Sequence, residues 1–138
     1  MGIIFTKYRL AALICIILLA GCTRPAAQSA APDTAPRRIS AAEAHRMMLT
    51  LNDFVLLDVR TEGEFRERRI DGAILIPVDE LQRRAPRELS DKNKVILVYC
   101  RSGRRSANAA ALLASLGYTN VYDFGGILGW RHGTISGD

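Results

Sequence analysis

The residues best equipped for chemistry are Cys100 and the run that follows it, Arg101-Ser-Gly-Arg-Arg-Ser106. Cys100 closes an apolar, β-branched stretch, Lys94-Val-Ile-Leu-Val-Tyr99, and a helix-forming stretch follows over residues 107–116. That order puts a thiol in a tight strand-to-helix loop. The backbone N–H groups of such a loop, with those of the helix's first turn, converge on one point and favour negative charge there. A thiolate is the charge on offer. Arg101, Arg104 and Arg105 deepen the same potential, so Cys100 is expected to ionise more readily than an ordinary cysteine and to act as a covalent nucleophile near neutral pH.

The elements that must position this loop can be read from pattern and punctuation. Ser40-Ala-Ala-Glu43 has capping-box spacing ahead of a helix through about Leu49, and Thr61-Glu-Gly-Glu64 repeats that spacing before a short helix carrying Phe65. Strands are predicted over residues 54–58, 73–76, 95–99 and 121–122, with a helical turn or two from Asp79 to Arg84 and another at 127–130. Gly117 should end the helix that follows Cys100. Strands alternating with helices imply an α/β fold with a mainly parallel central sheet covered on both faces. Sites in such sheets form beyond the carboxyl ends of the strands. Cys100 lies at one such end, and Asp58 and Arg60 lie at another, where they are expected to pair or cap neighbouring backbone rather than touch substrate.

The first forty residues have a different character. A positive start with Lys7 and Arg9, an apolar run over residues 10–20, and Leu19-Ala-Gly-Cys22 together suggest a secretory signal, since spanning a bilayer takes about 20 apolar residues. Leu19-Ala-Gly-Cys22 resembles the lipobox of bacterial lipoproteins, which implies cleavage before Cys22 and lipid attachment to its thiol. Thr23 stands where inner-membrane retention usually wants Asp, so the expected location is the periplasmic side of the envelope, leaning toward the outer membrane. Residues 1–21 would then be the signal peptide, 22–38 an Ala/Pro-rich tether, and 39–138 the domain. Cys15 would leave with the signal and Cys22 would be acylated, which leaves Cys100 as the free thiol.

Charge excludes one class of partner. The chain carries 19 basic and 14 acidic residues, a net +5. From Ser40 onward the balance is 14 to 13, or +1, so the excess belongs to the N-terminal segment. A nearly neutral domain without aromatic-basic interleaving is a poor nucleic-acid binder. His45 and His132 are solitary in the sequence, with no Cys, Asp or Glu at ligand spacing, and no metal or other cofactor is assigned.

Several motifs occur in an order that resembles a known family. Leu57-Asp-Val-Arg60, Glu64-Phe65, Ile70-Asp-Gly-Ala73, Ile76-Pro77, Val98-Tyr-Cys-Arg-Ser-Gly-Arg-Arg-Ser106 and Gly125-Gly-Ile127 with Trp130 together resemble a single-domain rhodanese, a sulfurtransferase module, over roughly residues 39–132. The resemblance implies a rhodanese-like fold and a persulfide mechanism. Cys100 would take the outer sulfur of thiosulfate or a related anionic donor and pass it to cyanide or a thiol. Backbone N–H groups from Arg101 to Arg105 would steady the persulfide, and Gly103 would let the backbone approach the sulfur. Arg105 would fix the loop or bind donor, Arg101 and Arg104 would be rim charges, and Ser102 and the Ser106 hydroxyl would complete the loop. Gly125, Gly126 and Trp130 are expected to turn and pack. One departure stands out: Arg68-Arg69 precedes Ile70 where rhodaneses usually place Gly-His.

Two other readings compete. Phosphatases and arsenate reductases of related architecture need Cys-x5-Arg, whereas Ser106 occupies the sixth position after Cys100 and the arginine falls one residue early. A non-catalytic rhodanese-like module that carries sulfur or binds a partner is the other, and such modules typically lose the cysteine that is present here.

Overall fold

The computed structural model describes residues 35–137. The expected signal peptide with Cys15, and Cys22, the expected site of lipid attachment, lie outside them.

Five strands form one sheet, and every neighbouring pair is parallel. In chain order the elements are β1 (Arg37–Arg38), α1 (Ala41–Thr50), β2 (Val55–Asp58), α2 (Glu62–Glu67), β3 (Ile74–Leu75), α3 (Leu81–Glu88), β4 (Ile96–Cys100), α4 (Arg104–Ser115) and β5 (Val121–Gly126), followed by a 3-10 turn, Ile127–Gly129. The sheet order is β1-β5-β4-β2-β3. After β2 the chain steps outward to the β3 edge and then returns to the other side of β2 for β4. The crevice beyond the ends of β2 and β4 is therefore the point where winding reverses, the usual place for a site in an open parallel sheet.

Both faces of the sheet are covered, as alternating strands and helices require. On one face Leu57, Val59, Ile96 and Val98 pack with Leu81 and Ala85 of α3 and Ala109, Ala110 and Leu113 of α4. On the other, Leu56, Leu97 and Tyr99 pack with Ala44 of α1 and with Phe124, Ile127 and Trp130. All five residues of β4 are buried, which explains its unbroken apolar sequence.

The caps form where their spacing predicts. Ser40 Oγ accepts the Glu43 N–H at 3.1 Å, and α2 carries a complete capping box between Thr61 and Glu64. Gly117, at φ +90°, stops the helix after Cys100.

Four boundaries differ from expectation, each for a physical reason. Arg37 and Arg38 are strand rather than tether, because side chains on β5 hold them: Arg37 donates to the Tyr122 hydroxyl at 2.7 Å and Arg38 to Asp123 at 3.0 Å. The third helix runs past Arg84 to Glu88 despite Pro86, since Arg84 pairs with Glu80 and Glu88 one turn to either side. The helix after the cysteine starts at Arg104, not at residue 107, because the left-handed Gly103 caps it and its carbonyl accepts the Ala107 N–H. Finally, β5 continues to Gly126 rather than stopping at Tyr122, because the charge of Asp123 is neutralised and hydrogen-bonded inside the fold.

Candidate active site

Cys100 is the last residue of the central strand, and its backbone pairs with Gly126 across the sheet. Between Val98 and Cys100 the β4–β5 register shifts, so β5 accommodates an extra residue around Gly125, whose φ is +89°. The shift brings Gly126 against the start of the cysteine loop. A methyl group at Gly126 would lie 2.2 Å from the Arg101 carbonyl oxygen, so only glycine allows the two chains to pass this closely.

From Cys100 the chain turns at once into α4. Gly103 is its N-cap, at φ +111°, a left-handed conformation that side chains resist. The turn aims the Gly103 N–H at the Cys100 sulfur, 3.0 Å away. Burial pushes the thiol's pKa up. The backbone N–H groups of Ser106, Gly103 and Ser102 and the Ser106 hydroxyl together outweigh burial and hold it below the usual thiol value. Of the N–H groups expected to face the sulfur, that of Gly103 meets it directly, and those of Ser102 and, in the first turn of α4, Ser106 also act on it. Cys100 lies beneath them, 2% exposed.

Ser106 is fully buried, and its hydroxyl lies 3.0 Å from the carbonyl oxygens of both Gly103 and Gly125. It thus ties the cysteine loop to the end of β5. Arg101, Ser102 and Arg104 of the same loop are exposed. Arg105 is half-buried and turned inward, where it faces the Cys100 sulfur and grips Glu64 of α2 through both terminal nitrogens, each 2.8 Å from a carboxylate oxygen. The same carboxylate accepts the Thr61 N–H, so the N-terminus of α2 is fastened to the N-terminus of α4. Arg105 beside Glu64 holds that carboxyl down at about 2.

Asp58 and Arg60 form a buried pair. Arg60 donates from its backbone N and Nε to Asp58 Oδ1 at 2.9 and 3.0 Å, and from Nη2 to Oδ2 at 2.6 Å. The remaining reach of Nη2 goes to the Arg68 carbonyl, also 2.6 Å away. This is the structural pairing expected of the two residues. Arg60 also helps to line a cleft of about 290 Å³ with Glu64, Glu67, Arg68, Arg101, Ile127 and Leu128.

Arg69 holds the C-terminal segment in place, while the Arg68 carbonyl serves Arg60. Arg69 pairs with Ile135 in an antiparallel bridge, donates to the Gly137 carbonyl, and lays its guanidinium over the Phe65 ring at 4.8 Å. His45 and His132, solitary in sequence, stack in space with ring centroids 3.8 Å apart, and Trp130 meets both edge-on. They line a cavity of about 510 Å³ that none of the cysteine-loop residues touches. Among the described residues no group of three metal-ligating side chains converges.

Sequence reasoning missed two residues of the site's framework, Arg38 and Asp123, and saw Glu64 as a cap and a motif residue but not as the partner of Arg105. A lone acid in an apolar run just before a Gly-Gly pair was the available signal for Asp123, because a charge in such a run must be answered by a partner.

Comparison with known proteins agrees with the fold. The family model of the rhodanese-like domain matches residues 40–132. The chain is 38% identical over 71 residues to the thiosulfate sulfurtransferase PspE of Escherichia coli, covering 51% of this chain and 68% of that protein. It is 33% identical over 96 residues to the thiosulfate sulfurtransferase GlpE of Coxiella burnetii, covering 69% and 87%. A solved structure described as rhodanese with anions from E. coli superposes with a TM-score of 0.57 at 34% identity, covering 60% of this chain and 98% of that one.

Proposed function

The chain belongs to the rhodanese-like domain family, and on that basis we propose that it is a thiosulfate-type sulfurtransferase working through a Cys100 persulfide. The observation that carries this reading is the Gly103 N–H set 3.0 Å from a thiol whose pKa the surrounding donors pull down. The Cys100 thiolate attacks the outer sulfur of thiosulfate. As the new S–S bond forms, the donor's own S–S bond breaks and sulfite leaves with the electron pair. The persulfide left on Cys100 carries its charge on the outer sulfur, one S–S bond beyond the thiolate's position, in the field of the same loop N–H groups and helix N-terminus. Cyanide carbon, or an acceptor thiolate, then attacks the terminal sulfur and returns the Cys100 thiolate. No net redox agent is needed, because each half-reaction exchanges one sulfur–leaving-group bond for another.

The depth of the sulfur favours small donors, since Cys100 is 2% exposed while Arg101, Ser102 and Arg104 of its loop are exposed to solvent. Those arginines suit a dianion by charge, and a loop one residue short of Cys-x5-Arg suits a single sulfur better than a phosphoryl group. The expected result with thiosulfate is a mass gain of one sulfur atom on the protein, lost on adding cyanide and absent in Cys100→Ser. No gain with thiosulfate would overturn the donor assignment.

The proposal extends to place. Leu19-Ala-Gly-Cys22 supports lipid attachment at Cys22 and a periplasm-facing position, with the outer membrane favoured by Thr23. Radiolabelled palmitate should enter the wild-type chain and not Cys22→Ala, and a protein found wholly in the cytosolic fraction would overturn this part.

A further inference from the structure

We propose that Arg38 is a positioning residue for the Cys100 loop, acting from the short strand where the expected tether meets the sheet. Its guanidinium reaches two sets of partners. Nη1 donates to Asp123 Oδ2 at 3.0 Å, while Asp123 Oδ1 accepts the Gly125 N–H at 2.9 Å. Nη2 lies over the two left-handed glycines: it would be 3.3 Å from a methyl group at Gly103 and 3.5 Å from one at Gly125. Gly103 gives its N–H to the Cys100 sulfur, and the carbonyls of both glycines meet the Ser106 hydroxyl. The turn that cradles the sulfur is thus pinned by Ser106 on one side and covered by Arg38 on another.

The electrostatics give this contact more weight than an ordinary surface pair. The Asp123 side chain is 5% exposed, so its charge depends on the partners it has in the fold, whereas Arg38 is 65% exposed and brings its charge in from the edge. Without Arg38, the Asp123 carboxylate keeps the Gly125 N–H but loses its counter-charge, and the cover over Gly103 is gone. Gly125 and Gly103, free of side chains, then have room to shift, and a shift of Gly103 turns its N–H off the sulfur. Neighbouring Arg37 supplies the contrast. It lies on the same strand, yet its hydrogen bond goes to the Tyr122 hydroxyl and it makes no contact with either glycine.

The test uses the full-length chain, with iodoacetamide labelling followed on the Cys100 peptide across pH, beside thiosulfate turnover. Only the turnover arm rests on the sulfurtransferase reading, so an inert wild-type enzyme would sink that reading and leave the labelling arm to decide this one. Arg38→Gln should move the labelling midpoint to higher pH, slow labelling at neutral pH about threefold and lower turnover about tenfold, the scale expected when reacting groups are slightly misplaced. Arg38→Lys should recover part of each loss, and Arg37→Gln should match wild type. A wild-type labelling profile in Arg38→Gln overturns the proposal, as does an Arg37→Gln profile shifted equally. Should Arg38→Gln fail to fold, the double variant Arg38→Gln with Asp123→Asn removes the orphaned charge. A shifted midpoint in that variant then supports the assignment, and an unshifted one overturns it.

Discussion

Glu64 and Arg105, forty-one positions apart in sequence, join α2 to α4, each terminal guanidinium nitrogen 2.8 Å from its own carboxylate oxygen. Glu64 is also the N3 residue of a capping box, so one side chain both starts α2 and holds Arg105 beside Cys100. Glu64→Gln keeps the shape and the cap but removes the charge that fixes the guanidinium. Turnover of thiosulfate should fall about tenfold in this variant while Cys100 labelling continues, because Arg105 is then free to swing from the sulfur. A kcat/KM equal to wild type would show that Arg105 holds its place without Glu64.

The same pair predicts an acid limit. Arg105, with help from Thr61, holds the Glu64 carboxyl at about 2, below the ordinary 4.5. A folded-state pKa below the unfolded one contributes stability that is complete above pH 4.5 and is lost as pH falls toward 2. The size is at most about 3 kcal/mol, from the drop between 4.5 and about 2, and less by what solvent screens at this partly exposed pair. Urea midpoints measured from pH 6 down to pH 2.5 should therefore fall more steeply for wild type than for Glu64→Gln. Parallel slopes would remove this carboxylate as the cause.

Much of the fold and of the loop was legible in the sequence because local signals and the final structure agree there. The capping boxes at Ser40 and Thr61, the buried run before Cys100 and the stop at Gly117 each act within a few residues, where pattern is informative. What escaped was long-range. Arg37 and Arg38 read as tether because nothing local marks a strand, and only Tyr122 and Asp123, eighty-five positions away, make them one. His45 and His132 are far apart in the chain and stack only after α1 and the C-terminal segment come together. Glu64 showed its cap and hid its second partner for the same reason.

Cys100 reactivity should report the balance between burial and hydrogen bonding. Burial alone would raise its pKa, and the Ser106, Gly103 and Ser102 donors bring it below the usual 9.0. The rate of Cys100 labelling against pH should accordingly show a midpoint below 9.0. Ser106→Ala should move that midpoint upward, since it deletes the hydroxyl and frees the carbonyls of Gly103 and Gly125 from their shared contact. A midpoint unchanged by Ser106→Ala would assign the whole effect to the backbone.

Gly126 should be intolerant of any side chain. A β-carbon there would stand 2.2 Å from the Arg101 carbonyl oxygen and 2.6 Å from Ser102 Cα, both backbone atoms that cannot swing aside. Gly126→Ala is expected to cost about 1–3 kcal/mol as an overpacked site, and to lower turnover by shifting the first residues after Cys100. Gly129→Ala, where nothing lies within 4 Å, is the control and should leave both stability and turnover near wild type. Equal behaviour of the two variants would mean that the β5 end yields more easily than its register shift implies.

The Asp58–Arg60 pair separates a structural role from a chemical one. Its side chains are 0% and 4% exposed, and Arg60 spends its donors on Asp58 and on the Arg68 carbonyl. Arg60→Met leaves the Asp58 carboxylate buried without its counter-charge, which should destabilise the fold by about 3–5 kcal/mol. The double variant Asp58→Asn with Arg60→Met removes both charges and should recover a large part of that loss. Urea denaturation measures this, and turnover per folded molecule measures the rest. If the pair only builds the end of β2, the double variant keeps a kcat close to wild type. A double variant that folds well yet has lost its turnover would instead place Arg60, which lines the cleft beside Arg101, in contact with the sulfur donor.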